Sequence, residues 1–360
     1  MEKVALTLMG GLRDCGHEVF CVASAWTDGD FPTRLTRLSI PYEQVYLGKL
    51  TKSLRHTRWM ADTLAYWPGA RLKVRGLLNR FQPDVVLLYQ LDHLVLIHGL
   101  LKRRRCLFHV HSLLPSGGLW RILLPWTDQV VHRYAAVSRF VQDQLVNRGI
   151  AAEKCCMVYN GLDRAATSPG AERDLPAPVR IGIVGQVGAW KGHLDFVEAL
   201  ALLNSKDLPF EGHIYGEGSP EFKALLRRKI EVLGLNEKIV WHGYVKDTDA
   251  IYGSLDIVSM PSIHEEPLGL IPCEAGLRGL PAVVTRQGGL PEIVEDGETG
   301  FIVDAGRPDQ LADRLERLTC DSDLRRGMGE KARLRIAERF SRERMVSEFE
   351  SLCRELVAHA

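Results

Sequence analysis

The sequence predicts an α/β protein made of two doubly wound parallel-sheet domains. Three observations carry this expectation. Short apolar runs alternate with helical patterns along nearly the whole chain, and strand–helix repetition gives a parallel sheet covered on both faces. The alternation stops once, at residues 164–178, which have no apolar period and three prolines, and then restarts. The length, 360 residues, exceeds one ordinary core and suits two domains of about 150–200 residues each. The expected organisation is therefore a first domain over 1–163, a linker over 164–178 and a second domain over 179–340. A terminal helix over 341–360 is expected to pack back on the first domain.

Taken in order, Val4, Ala5, Leu8 and Leu12 recur at helical spacing, Gly16 ends that helix, and residues 18–23 read as a strand. Pro83 and Asp84 turn the chain into a continuous apolar run at 85–89, as expected of a buried parallel strand. Residues 106–111 and 135–137 read as further strands, with Ser138 placed to cap the helix that follows. Residues 155–159 close the half, ending on the turn dipeptide Asn160-Gly161. In the second half, strands are expected at 180–184, 211–215, 239–241, 256–260, 282–285 and 301–303. The last helix, from Ser341, puts Met345, Phe349, Leu352 and Leu356 on one stripe.

Composition narrows the class. Hydrophobic residues make up 46% and charged residues 25%, as in an ordinary globular protein. No apolar run reaches the ~18–20 residues that span a bilayer, and the first residues lack the pattern of a signal peptide. The eight cysteines are scattered, with Cys155 and Cys156 adjacent, so free thiols in a reducing cytoplasm are expected rather than a disulfide or zinc framework. Net charge is +1 but divided: residues 1–163 carry 21 Lys/Arg against 13 Asp/Glu, and the remainder 25 against 32. The basic excess lies in 49–105 and includes Lys49, Lys52, Arg55, Arg58, Arg71, Lys73, Arg75, Arg80 and Lys102 to Arg105, with Trp59, Tyr66 and Trp67 among them. Such a segment suits an anionic membrane surface or a phosphorylated acceptor; a solvated helical face has the same pattern.

Three strand-to-helix turns of the second half carry the chemistry. Residues 184–192 (Val-Gly-Gln-Val-Gly-Ala-Trp-Lys-Gly) run from a strand through glycines to Lys191 near a helix start, which suits a phosphate. Residues 266–274 place Glu266 before, and Glu274 within, a helix opened by Gly269, with Pro272 in its first turn. The free N–H groups of such a helix face an anion, and a carboxylate can accept two hydroxyls, as in reading a ribose diol. Residues 285–294 repeat the turn with Gly288-Gly289. Singly, each is also an ordinary βα turn or a capped helix with a surface Glu. Asp28-Gly29-Asp30 mimics a metal motif but sits in a polar loop and reads as a turn. Parallel sheets bind ligands beyond the carboxyl ends of their strands.

Together these segments resemble the retaining family-4 glycosyltransferases of the GT-B fold. The resemblance rests on 185–192, Tyr215-Gly216-Glu217-Gly218, the Glu266/Glu274 pair, 288–294 and the turn 296–301. Val137-Ser138 and 159–163 extend it into the first half. It implies two Rossmann-like domains facing across a cleft and transfer of a hexose from a nucleoside-diphosphate sugar to an acceptor hydroxyl with retention. It further implies that Lys191 and Gln186 meet the donor diphosphate, although relatives usually carry Arg at the latter position. Gly216 and the amides of Gly269 and Leu270 would lie against the donor, Glu274 would hold its ribose and Glu266 the transferred sugar. His111 matches the family's active-site histidine; His109, two residues earlier, is expected to be structural. The departing phosphate oxygen would serve as base, so no metal and no cofactor beyond the donor co-substrate is expected.

The implied partners are the nucleoside-diphosphate sugar, a glycan or lipid-linked acceptor and an anionic membrane surface, with no nucleic acid. The implied location is cytoplasmic, peripheral at the inner face of the membrane, in cell-surface polysaccharide or glycolipid synthesis. The pattern departs at the start: family members open on a strand and glycine loop, whereas residues 1–4 here read as helix. An in-frame upstream extension of roughly 12–20 residues, one strand and a turn, is therefore expected. The alternative reading is a non-catalytic sugar-nucleotide-binding protein or truncated pseudoenzyme.

Overall fold

A computed structural model describes residues 2–25, 30–48, 57–114, 117–163 and 178–358. The chain forms two compact units, residues 1–161 with 342–360, and residues 162–341. The expected linker lies outside the described residues up to 177, as do Asp28, Gly29, Lys49, Lys52 and Arg55.

The first unit runs α1 (Glu2–Asp14), β1 (Cys21–Ser24), α2 (Phe31–Arg37), β2 (Tyr42–Val45), α3 (Thr57–Phe81), β3 (Val86–Leu88), α4 (Leu91–Leu101), β4 (Cys106–Val110), α5 (Gly118–Asp128), β5 (Arg133–Ala136), α6 (Arg139–Asn147) and β6 (Cys155–Met157). All its strand pairs are parallel: β1 with β2, and β3 through β6 in sequence order. The first strand begins at Cys21, three residues later than its pattern predicts, where pairing with Tyr42 starts. Asp30, part of the expected turn, is the N-cap of α2. Ser138 caps α6, its hydroxyl accepting from the Val141 amide at 3.1 Å.

The second unit runs β7 (Val179–Val184), α7 (His193–Asn204), β8 (Phe210–Tyr215), α8 (Pro220–Val232), β9 (Ile239–Gly243), α9 (Thr248–Gly253), β10 (Ile257–Met260), α10 (Leu270–Leu277), β11 (Ala282–Thr285), α11 (Leu290–Ile293), β12 (Gly300–Val303), α12 (Pro308–Cys320) and α13 (Ser322–Arg339). Its six strands lie in the order β12-β11-β10-β7-β8-β9, all parallel. Ile181, Ile183, Phe196, Leu200, Phe210 and Ile214 are buried in one core. Each contributes about 1.5–3 kcal/mol relative to exposure.

The final helix, α14 (Arg342–Ala358), belongs to the first unit. Its stripe of Met345, Phe349, Leu352 and Leu356 is buried. It meets α1 closely: a Cβ on Gly11 would stand 2.2 Å from a methyl of Val346. Polar contacts line the same contact, an ion pair of Arg342 with Asp14 and a hydrogen bond between His17 and Glu350. Phe349, fully buried, sets its ring edge-on to His109 of β4 at 4.7 Å. Replacing Phe349 by Ala is expected to destabilise the first unit by about 3–5 kcal/mol, read as a fall in the urea midpoint. An unchanged midpoint would show that α14 adds nothing to that core.

Candidate functional site

In the second sheet the strand order reverses between β7 and β10. The chain builds outward from β7 to β9, then returns to the other side of β7 and builds outward to β12. Ile257 of β10 pairs with Ile181 of β7, so the turns leaving these two strands emerge side by side. A crevice at such a switch point is where open parallel sheets hold ligands.

The turn after β7 carries one short helical turn, Ala189–Lys191, and ends at Gly192, the N-cap of α7. Gly192 has φ +75°, and a Cβ there would stand 1.8 Å from the Pro261 carbonyl oxygen. Only glycine meets both demands. The contact brings the loop after β10 onto this turn, where the amides of Ile263 and His264 both donate to the Trp190 carbonyl, at 2.9 and 3.3 Å. Lys191 Nζ consequently lies 2.5 Å from Glu266 Oε1, with side chains only 21% and 13% exposed. Ser262 donates its hydroxyl to the same oxygen at 2.8 Å. Gln186 stands exposed in the same turn.

The turn after β8 stacks on this one. Gly216, φ +136°, approaches so near that a Cβ would sit 1.8 Å from the Gly185 carbonyl oxygen. Its amide donates to Gly243 at the end of β9, and Val187 donates to Glu217. After β10, Gly269 is the N-cap of α10 and provides no side-chain cap. Leu270 opens the helix, and its first N–H groups form a positive helix end. The turn after β11 closes on the same loop, the Gly289 amide donating to the Glu266 carbonyl at 2.8 Å. Glu274, in the second turn of α10, accepts the Tyr252 hydroxyl at Oε2, 2.9 Å away. Lys191, Glu266, Gly216, Gly269, Leu270 and Glu274 thus all belong to turns or a helix at the carboxyl edge of one sheet.

His111 belongs to the first unit, immediately after β4. Its Nε2 is 3.0 Å from Nδ1 of His109, and Tyr89 stacks on its ring. Burial pushes His109 well below its ordinary value and His111 down to about 3. His111 is therefore a neutral ring held by a hydrogen bond to His109.

Two family models match the chain: Glycosyltransferase Family 4 over residues 1–166 and Glycosyl transferases group 1 over residues 175–335. The chain belongs to the family-4 glycosyltransferases. It is 32% identical over 139 residues to N-acetyl-alpha-D-glucosaminyl L-malate synthase of Bacillus anthracis, covering 39% of this chain and 36% of that one. It is 29% identical over 218 residues to the lipopolysaccharide core biosynthesis glycosyltransferase LpsE of Rhizobium meliloti, covering 60% and 61%. The chain thus spans between about a third and three fifths of the length of these curated relatives. Among solved structures, Anabaena HepE in complex with UDP and glucose superposes with a TM-score of 0.81 at 20% identity, covering 98% of this chain and 95% of that one. At that identity the likeness establishes the fold, GT-B.

Three groups beside the expected residues add to this arrangement. Tyr252 reaches Glu274 from α9, Ser262 reaches Glu266 from four residues earlier in the same loop, and His109, expected to be structural, is the hydrogen-bond partner of His111. Only the last could be suspected, because side chains two apart on a strand share a face.

Buried neutral histidines fix the acid behaviour of the fold. His193 is also fully buried; burial holds it at about 4 although its Nδ1 reaches the Gly188 carbonyl. In the unfolded chain these rings take a proton near pH 6.5, whereas folded His193 and His111 do so only near 4 and 3. Stability is then unaffected above about pH 6.5 and falls as pH drops below it, by up to about 1.4 kcal/mol per pH unit for each ring. Urea midpoints should be equal at pH 7.5 and 8.5 and distinctly lower at pH 5. A flat profile down to pH 5 would show that these rings are protonated in the folded protein.

Proposed function

We propose that this chain transfers a hexose from a nucleoside-diphosphate sugar to an acceptor hydroxyl with retention, in cell-surface glycan or glycolipid synthesis at the inner face of a membrane. The observation that carries the reading is the convergence, at the switch point, of Lys191, the open start of α10 and two carboxylates. Lys191 and the amides of Gly269 and Leu270 take the diphosphate, Gln186 adds a donor without charge, and Gly216 lets the backbone come close. Glu274 accepts the ribose hydroxyls and Glu266 those of the transferred sugar. His111, neutral, hydrogen-bonds the sugar. The departing phosphate oxygen takes the acceptor proton, so the protein contributes position and charge stabilisation, with no metal in the scheme. The UDP and glucose held by HepE, and the lipopolysaccharide role of LpsE, support this reading.

Lys191 is held by Glu266. Donor binding exchanges that carboxylate for phosphate and frees Glu266 for the sugar. Lys191→Ala is expected to weaken nucleoside-diphosphate binding about tenfold, the lower end for a charged hydrogen bond because a partner is exchanged rather than gained. Calorimetry with uridine, adenosine and guanosine diphosphates measures it, and unchanged affinity removes Lys191 from the site. Gln186 favours a second reading, a protein that binds the donor without transferring it, since a neutral amide stabilises departing phosphate less than Arg. Tight donor binding with no transfer to any lipid or glycan acceptor extract would select that reading.

The membrane part of the proposal rests on the first unit. Leu64, Tyr66, Trp67 and Leu72 of α3 and Ile122 and Trp126 of α5 are exposed apolar groups near the basic segment. Arg71, Lys73 and Arg104 already donate to backbone carbonyls, so part of the positive charge is structural. No described helix is long and apolar enough to cross a membrane. The chain should co-sediment with vesicles containing anionic phosphatidylglycerol, and less so as salt rises, since exposed charges are screened beyond ~8–10 Å. Absence of binding at low salt would point to a water-soluble acceptor.

A further inference from the structure

Glu274 is held from behind. The Tyr252 hydroxyl, on α9, donates to Glu274 Oε2 at 2.9 Å. Tyr252 is 1% exposed, and its ring is packed among Ile251, Leu255, Val258 and Ala275. Burial, with the neighbouring Glu274 carboxylate, raises the phenol well above its ordinary value, so the hydroxyl keeps its proton and acts as the donor. Arg278 completes the arrangement. Its guanidinium lies over the Tyr252 ring, 5.1 Å from the centroid. It also donates to the Glu274 carbonyl at 2.9 Å and to Asp249 of α9 at 2.8 Å. One cation thus joins α10 to α9 and grips the ring whose hydroxyl holds the carboxylate.

A glutamate on a helix has three rotatable bonds, and ordering such a side chain costs conformational entropy. A carboxylate meant to accept two vicinal hydroxyls must already present both oxygens in the right plane; otherwise binding itself bears that cost. Tyr252 meets this need from a buried, immobile position. We propose that Tyr252 is the positioning residue that makes Glu274 a reader of the ribose diol, and so determines preference for ribo- over 2′-deoxyribonucleoside diphosphates. This rests on the assignment of Glu274 to the ribose made above. The chemistry requires no other contact with Tyr252: its effect passes through Glu274.

The test compares, by calorimetry on the full chain, the tightest-binding of uridine, adenosine and guanosine diphosphate with its 2′-deoxy form. A site built around a hydroxyl rejects the analogue that lacks it, and the wild type should prefer the ribo form about tenfold or more, as for loss of a hydrogen bond to a charged group. Tyr252→Phe removes one oxygen and keeps the ring, and should narrow this ratio severalfold; general destabilisation would not alter a ratio. Should the Phe variant fail to fold, Tyr252→Met fills the space flexibly without a donor and should narrow the ratio likewise. Glu274→Ala should abolish the preference. A wild-type ratio retained in the Tyr252 variants but lost in Glu274→Ala overturns the proposal and leaves the ribose assignment standing. A preference retained in Glu274→Ala, or absent from the wild type, overturns the ribose assignment and the proposal with it.

Discussion

The pairing of β7 with β10 is the constraint on which the rest of the second unit depends. Two strands separated by about 75 residues become neighbours, and the contact of Lys191 with Glu266 follows from their adjacency. At the entry of the strands, Arg180 grips Asp256 with two parallel side-chain bonds of 3.0 and 2.9 Å, and the Asp256 amide returns a bond to the Arg180 carbonyl. Burial disfavours the Asp256 charge, but the guanidinium outweighs it and holds the carboxyl below its ordinary value. The ion pair sets the register at one end of the strands. At the other end, that register delivers Lys191 to Glu266.

The Lys191–Glu266 contact is also a solution to an electrostatic problem. A site prepared for a diphosphate and a sugar must carry a cation and an acceptor in a partly dry crevice, and an unpaired charge there would be costly. Pairing the two groups with each other, with Ser262 as a further donor, avoids that cost. In the proposed reaction both groups reach the ligand by exchange of partners. Glu274 is treated differently: its support comes from a buried phenol behind it, which no ligand needs to displace.

In the first unit, the same economy appears without charge. His109 and His111 share a hydrogen bond in a place where burial disfavours protonation of either. His109 Nε2 has no partner in the described structure. The tautomer that leaves an unprotonated nitrogen there, rather than an orphan N–H, makes His109 the donor through Nδ1. His111 then accepts at Nε2 and keeps its own proton on Nδ1. The last helix covers His109 through Phe349, so a residue from the end of the chain forms part of the surroundings of an imidazole on β4.

Sequence alone determined the class of fold, because short, largely apolar strands of the second half alternate with helical patterns, and because α14 carries its stripe at helical period. It determined the glycine turns too, since positive φ and close backbone approach at Gly192 and Gly216 exclude other residues. It left β2 unseen: Tyr-Glu-Gln-Val is short and half polar, and its strand character comes from pairing with β1. Tertiary structure alone decided that Lys191 binds Glu266 and that Tyr252 holds Glu274. Periodicity reports which face of an element is buried. It carries no information on which polar groups 75 or 22 residues apart will meet, because that depends on strand order and on the distance of closest approach between turns.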